Sequence, residues 1–501
     1  MLRILGSANP LHPTLNRRDL IRVGFLGGAA AGASSRQPRA EGSIPAALPE
    51  SFGAAKQILL LYLQGAASQF ETWDPRPDAP AEIRGKWDPA STAVPGTFIC
   101  EMLPKIARIT DRLAIIRSMT HKYNNHSNLY TLSGYPAVDF SSETNPFDSR
   151  HHPFFGSVLD YLEDSEGAQP VGDIPRSIGM PFRFSSHSPV FRRAGPYGAF
   201  LGHGYDPVWT EFEGEATREV PRVSFFSRLK DVPVKDPFLG ITPESRLRVS
   251  KDAQLRSEMT LDRLDRRRSL LEQFDAENRR IDESSATRSL GRFQEMAHSL
   301  MTSQKLRDAL DIGHEPMPLR EKYGMTLFGQ SVLTGRRLLE AGCPFVSVFW
   351  DEFKVVNTAW DTHFNHFSRL ENELLPGFDS AVSTLILDME SRGLLDETLV
   401  LCLSEHGRTP KINRSDRGGG RDHWSNVYSV MMAGAGARPG VVVGASDSRG
   451  AFVKDRPISP EDILATVFHL KGIGDETTVP DRLNRPVRLT ANGSVIPELL
   501  G

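Results

Sequence analysis

Cysteine is scarce. Cys100, Cys343 and Cys402 are the only three in 501 residues, too few and too far apart for a disulfide framework or a thiolate zinc site. Cys402 lies in an apolar run, where a thiol packs as a small buried hydrophobe. Uninterrupted apolar stretches of about 18 residues, the length a membrane span needs, are also missing, so no transmembrane anchor is expected. Nor is there a basic surplus. With a net charge of −3 and a pI of about 6.6, the chain is poorly suited to neutralising phosphates, and a nucleic-acid partner is excluded. There is no repeat of about 20–50 residues, which rules out a solenoid.

What is present is ample apolar material for a sizeable core. Gln57 to Leu63 reads Gln-Ile-Leu-Leu-Leu-Tyr-Leu, a continuous run of strand length ended by Gly65, and predicts a strand buried on both faces at the centre of a parallel sheet. Similar runs occur at Leu113–Ile116, Pro344–Trp350, Thr398–Leu403 and Ser429–Ala433. Helical periodicity occupies Phe328–Ala341, Phe367–Gly393 and Pro460–Lys471 between or after them. Strand-helix alternation of this kind predicts a doubly wound α/β domain, with a mostly parallel sheet flanked by helices. Residues 243–311 turn charged and arginine-rich and predict a helical insertion. Residues 137–240, rich in Pro, Gly, Phe and Ser, predict long loops over the carboxyl edge of the sheet, where substrate contacts concentrate.

The first 40 residues read differently. Arg17 and Arg18 precede a short apolar stretch, Val23 to Ala33, with small residues at Ala31–Ala33 and Pro38–Ala40. This order resembles a twin-arginine export signal, and the stretch is too short to span about 30 Å of hydrocarbon. Residues 1–40 are therefore expected to be a signal peptide read by the twin-arginine export machinery. The mature domain, 41–501, is expected in the periplasm or cell envelope. Residues 1–40 hold six arginines against one aspartate, so their removal leaves a more acidic protein.

Open α/β sheets bind ligands beyond the carboxyl ends of their strands. Three polar clusters fall there: Trp360-Asp361-Thr362-His363-Phe364-Asn365-His366, Ser404-Glu405-His406-Gly407-Arg408-Thr409-Pro410 and Gly420-Arg421-Asp422-His423-Trp424. Imidazole together with carboxylate is the donor set of zinc, manganese or iron sites rather than the all-oxygen set of calcium or magnesium, and zinc or manganese fits best. Each cluster also has a plain structural reading, as a turn-capping acid, a helix start or a glycine-rich hairpin. A charged Glu405 directly after a buried strand favours a paired or metal-bound role. His366 reads as a neighbour of a helix start rather than a ligand. Asn124, Asn125, His126, Ser127 and Asn128 precede an apolar helix, where amides and a hydroxyl suit either an anion or a helix cap.

These clusters, together with Trp73-Asp-Pro-Arg-Pro-Asp-Ala-Pro-Ala-Glu-Ile-Arg-Gly85, Arg117-Ser-Met-Thr-His121 and Leu132-Ser-Gly134, resemble the bacterial twin-arginine-exported family "domain of unknown function 1501". That family is similar in fold to the alkaline phosphatase and sulfatase superfamily. The resemblance implies a site of one or two divalent ions, in which Asp361 and His363 with His423 hold one ion. Glu405 and His406, with a group from the Gln64–Glu71 loop, would hold a second. Asp422 completes the candidate metal set. It further implies Ser127 as nucleophile with Thr120 in reserve, Arg408 steadying an anionic oxygen, and Asn124, Asn125, His126 and Asn128 binding the substrate. Two departures stand out: the first-strand loop, Gln64-Gly-Ala-Ala-Ser-Gln-Phe70, carries no acid before Glu71, and Asn124 and Asn128 stand where sulfatases have cysteine and arginine.

The expected function is metal-assisted hydrolysis of a phosphate or sulfate ester, borne by a small molecule or a polysaccharide. The alternative is a non-catalytic exported or cell-envelope binding protein that keeps the sulfatase-like fold.

Overall fold

The computed structural model describes residues 51–137, 139–167, 174–189, 191–222, 232–249, 303–354, 357–414 and 418–501. Nine strands form the main sheet: β1 (Gln57–Leu63), β2 (Leu113–Met119), β3 (Ser177–Met180), β4 (Val208–Glu213), β5 (Arg246–Val249), β6 (Phe345–Trp350), β7 (Thr398–Leu403), β8 (Tyr428–Gly434) and β9 (Val441–Val443). Their order is β9-β2-β8-β7-β1-β6-β3-β4-β5. β8 pairs antiparallel with both β7 and β2, and β5 pairs antiparallel with β4, whereas the other neighbours run parallel. The expected α/β class, a mostly parallel sheet flanked by helices, is what the chain adopts.

β1 is the central strand for the reason its sequence suggests. With β6 on one side and β7 on the other, it has no edge, and successive side chains point to opposite faces. Leu59, Leu61 and Leu63 enter one core with Leu333, Leu338, Phe378 and Val382 of helices α3 (Leu327–Glu340) and α4 (Leu375–Ser391). Ile58, Leu60 and Tyr62 enter a second core on the other face. There they meet Phe155, Val158 and Leu159 of α2 (Phe155–Ser165) and Ile463, Leu464 and Val467 of α5 (Pro460–Leu470). α5 starts at a capping box between Ser459 and Asp462 with Pro460 in its first turn, which satisfies backbone donors that would otherwise be orphaned. All three cysteines are buried as free thiols.

The loop-rich reading of residues 137–240 is corrected in part. α2, β3 and β4 lie in that span. β3 is four residues long and carries Gly179, where a Cβ would stand 2.5 Å from the Trp209 ring. So short a strand, holding a glycine for close packing, leaves no periodic signal. The expected helical insertion at 243–311 begins instead with β5, an edge strand of the main sheet, and ends with a helix at Gln304–Leu310. Residues 250–302, like the expected signal at 1–40, lie outside the described residues.

Leu61 is fully buried, so Leu61→Ala should lower unfolding free energy by about 2–5 kcal/mol, read from the urea midpoint at an unchanged denaturant slope.

Candidate metal centre

Close backbone contacts bring the three acid-imidazole clusters together beyond the carboxyl ends of β1, β6 and β7. Gly65, directly beyond β1, has φ +97°, and a Cβ there would lie 2.4 Å from the Asp361 nitrogen. At Gly420 a Cβ would stand 1.8 Å from the His363 carbonyl oxygen. Only glycine allows such approaches. A two-residue ladder of Gly407–Arg408 with His423–Trp424 then fixes the second cluster against the third.

Among the described residues, two overlapping groups could hold a metal ion: Asp361, His363 and His423, and His126, His406 and His423. In the first, Asp361 Oδ1, His363 Nε2 and His423 Nε2 form a triangle with sides of 3.1, 3.0 and 3.5 Å. Metal–donor bonds of about 2.0–2.1 Å in a tetrahedron give donor separations of about 3.3–3.4 Å, so the triangle has the size of one face of a zinc site. In the second, the rings of His126, His406 and His423 lie 4.3 to 5.3 Å apart.

Hydrogen bonds set the tautomers that coordination needs. His363 Nδ1 faces Asp422 Oδ1 at 2.7 Å, and His406 Nδ1 donates to the Gly407 carbonyl at 2.8 Å. In His406 this bond leaves Nε2 without a proton, and in His363 it turns Nε2 toward Asp361 and His423. His406 Nε2 is buried and has no hydrogen-bond partner, which is the condition a metal would relieve. Burial, then the neighbouring histidine charges, pushes His406 far below the usual imidazole range. His423 falls to about 4, chiefly through burial. Both are neutral at pH 7. Burial pushes the Asp361 carboxyl up, but Arg408 and His126 more than reverse it and hold it well below the usual carboxylate range.

Several residues expected at the chemistry are held elsewhere. Asp422, more than half exposed, stands behind His363 and orients that ring rather than joining the donor triangle. The Arg408 guanidinium is fully buried. It binds the carbonyls of Gly65, Ala66, Trp360 and Arg421 and, at 2.6 Å, Asp361 Oδ1. With its donors so engaged, it has no face to offer a substrate anion. Glu405 Oε1 accepts from the Gly65 nitrogen at 2.8 Å and lies 2.7 Å from His126 Nδ1. Burial raises the Glu405 carboxyl, and the bond and charge of His126 with the Gly65 N–H lower it by more.

His126, expected at the substrate, thus lies between Glu405 and Asp361, whose Oδ2 is 3.4 Å from its Nε2. Ser127 is buried and donates to Asn125 Oδ1 at 2.5 Å. Asn124 accepts from the Ser425 nitrogen, and Asn128 accepts from the Tyr62 hydroxyl at 2.8 Å within helix α1 (Asn128–Ser133). Thr120 joins β2 to the loop before α5 by donating its backbone N–H to Ile458.

A family model described as "Protein of unknown function (DUF1501)" matches residues 55–500. The chain belongs to the DUF1501 family. No curated protein matches it in sequence. Solved structures similar to this DUF1501 protein include the lipoteichoic acid synthase LtaP from Listeria monocytogenes, at 9% identity and TM-score 0.36 over 93% of this chain and 80% of that one. The PsFucS1 sulfatase from Pseudoalteromonas sp. has 12% identity and TM-score 0.36, over 85% of this chain and 69% of that one. The phosphonate monoester hydrolase of Agrobacterium radiobacter has 12% identity and TM-score 0.37, over 88% and 77%. Likenesses this distant say nothing of the DUF1501 protein's reaction.

The first acid after β1 does not reach the donor group. Glu71 is buried against Arg421, whose Nη2 is 2.6 Å from Oε1, with His366 Nε2 3.2 Å from Oε2 and the Ser68 hydroxyl bonded to it. Burial raises the Glu71 carboxyl, but Arg421 and His366 bring it down to about 2. Sequence reasoning also missed Arg193, whose charge couples to Asp361 and Glu405, and the acids around it, Glu143, Asp351 and Glu352. Asp351 and Glu352 follow β6 directly, the position that singled out the other clusters. Burial raises Glu143 and Asp351 to about 7.

A carboxyl whose pKa is lowered by folding adds stability above its unfolded value, about 4.5, and loses it as pH falls toward the folded value, about 2. Stability contributed by Glu71 should therefore be complete above pH 4.5 and drain away below it. Glu71→Gln should flatten that part of the stability–pH curve and, by leaving Arg421 without its charge partner, lower stability at pH 7 by about 3–5 kcal/mol in chemical unfolding.

Proposed function

We propose that this DUF1501 protein is an exported, metal-dependent hydrolase of phosphate or sulfate esters, working in the periplasm or cell envelope with one divalent ion, zinc or manganese. The observation that carries the reading is the donor triangle of Asp361, His363 and His423 beside the unpartnered, buried Nε2 of His406. Neutral imidazoles with one carboxylate fit zinc or manganese. A divalent ion held there would supply Lewis-acid polarisation of an ester oxygen.

The protein's own residues prepare that place. Arg408 keeps Asp361 ionised and fixed, Asp422 keeps the His363 proton on Nδ1, and the Gly407 carbonyl does the same for His406. Glu405 stores a proton with His126, whose pKa rises although burial and Arg193 oppose it, because Asp361 and Glu405 outweigh them. This pair could return that proton to a leaving group.

One observation favours a second reading, a non-catalytic exported protein that keeps a single structural ion. Ser127 and Asn128, the residues expected at attack and anion binding, are engaged in hydrogen bonds within the fold, as is Arg408.

Elemental analysis of protein exported by its native route, paired with chromogenic phosphate and sulfate esters, separates the two. The hydrolase reading expects a bound ion and turnover, with His423→Ala losing both together; full ion content in that variant would remove the site. A tightly held ion with no turnover supports the second reading. Asp422→Asn should weaken ion affinity about 10–100-fold, measured against a chelator, because it releases the ring that presents Nε2.

A further inference from the structure

A buried polar atom without a partner calls for an explanation, a bound water, ion or ligand among them. Beyond the carboxyl ends of β1, β6 and β7, His406 Nε2 is joined by Gln64 Oε1, Glu143 Oε2 and Arg193 Nε, all buried and all without a hydrogen-bond partner. The histidine nitrogen is accounted for by the ion. The other three are not.

Arg193 differs from Arg408 in what its guanidinium touches. Its Nη2 donates to Glu352 Oε1 at 2.9 Å, and its backbone nitrogen donates to Ser185 Oγ at 2.9 Å. Glu352 is itself steadied by Gln64 Nε2 at 3.5 Å. The side chain is 15% exposed; Nη2 is held by Glu352, while the buried Nε–H has no partner. Its charge reaches the candidate centre: it opposes the protonation of His126 and is itself felt by Asp361 and Glu405. Glu143 adjoins it, since its carbonyl accepts the Ala194 backbone N–H at 2.8 Å.

We infer that Arg193 holds a tetrahedral oxyanion, the phosphate or sulfate group of the substrate, through its unpartnered Nε–H, with the Glu352 carboxylate competing for the same guanidinium at Nη2. A guanidinium matches two oxygens of such a group in one plane, and a charge-assisted bond to an anion relieves the unmade donor. Arg193 thereby takes the role expected of Arg408. The inference rests on the proposed function for the ester itself, while the oxyanion contact stands on the residues named.

Inorganic phosphate is the probe, titrated calorimetrically into purified exported protein, with metal content measured on each sample. Wild type is expected to bind phosphate, Arg193→Ala to bind it at least about 10-fold more weakly with unchanged metal content, and Glu352→Gln to bind it several-fold more tightly, because the competing carboxylate charge is gone. No phosphate binding by wild type, or equal affinity in Arg193→Ala, overturns the inference. If Arg193→Ala does not fold, Glu352→Gln decides: unchanged or weaker binding overturns the inference, and tighter binding supports it, since damage to the fold would not produce a gain. Wild type that carries no ion yet loses phosphate binding with Arg193 would end the hydrolase reading and leave this one standing.

Discussion

A single buried guanidinium holds the candidate centre together. Arg408 reaches the carbonyls of Gly65 and Ala66 after β1, of Trp360 after β6 and of Arg421 in the glycine-rich hairpin, and it closes on the carboxylate of Asp361. Three loops from different parts of the chain thus converge on one cation. A buried charge requires this many partners, so the loops cannot separate without stranding it. The donor triangle exists because Asp361, His363 and His423 ride on two of those loops.

A second buried cation repeats the arrangement one layer out. Arg421 reaches the carbonyls of Ile83, Thr409 and Pro410 and pairs with Glu71, tying the first-strand loop to the hairpin that carries His423. Acid and base are thereby distributed by task. Glu71 with Arg421 and Asp361 with Arg408 are locked pairs, while Glu143 and Asp351, raised to about 7 by burial, form no ion pair among the described residues. Locked ion pairs fix geometry, whereas buried acids raised toward neutrality exchange protons near pH 7.

The fold was legible where hydrophobic runs were long. β1, β6 and β7 are central strands buried on both faces, and such strands read as unbroken apolar segments. β3 and β9 are too short for that, and β4 alternates toward the sheet edge. The clusters at 360–366, 404–410 and 420–424 were legible because histidine beside a carboxylate just past a strand is an uncommon pattern. Asp351 and Glu352 sit in the same kind of position and escaped notice because no histidine accompanies them. Arg193 lies in a stretch without periodicity, and nothing local marks an arginine whose charge partner, Glu352, is more than a hundred residues away.

By itself the sequence determined the sheet's centre, the helices that cover it, and which residue types stand at the carboxyl ends of its strands. These follow from local periodicity and short-range order, which the chain carries wherever it is. Only the tertiary structure decided which of those side chains come together and which atom of each faces the others. That choice depends on glycines at Gly65 and Gly420 that let backbones nearly touch, and on the buried arginines that bind them, contacts between residues tens to hundreds of positions apart.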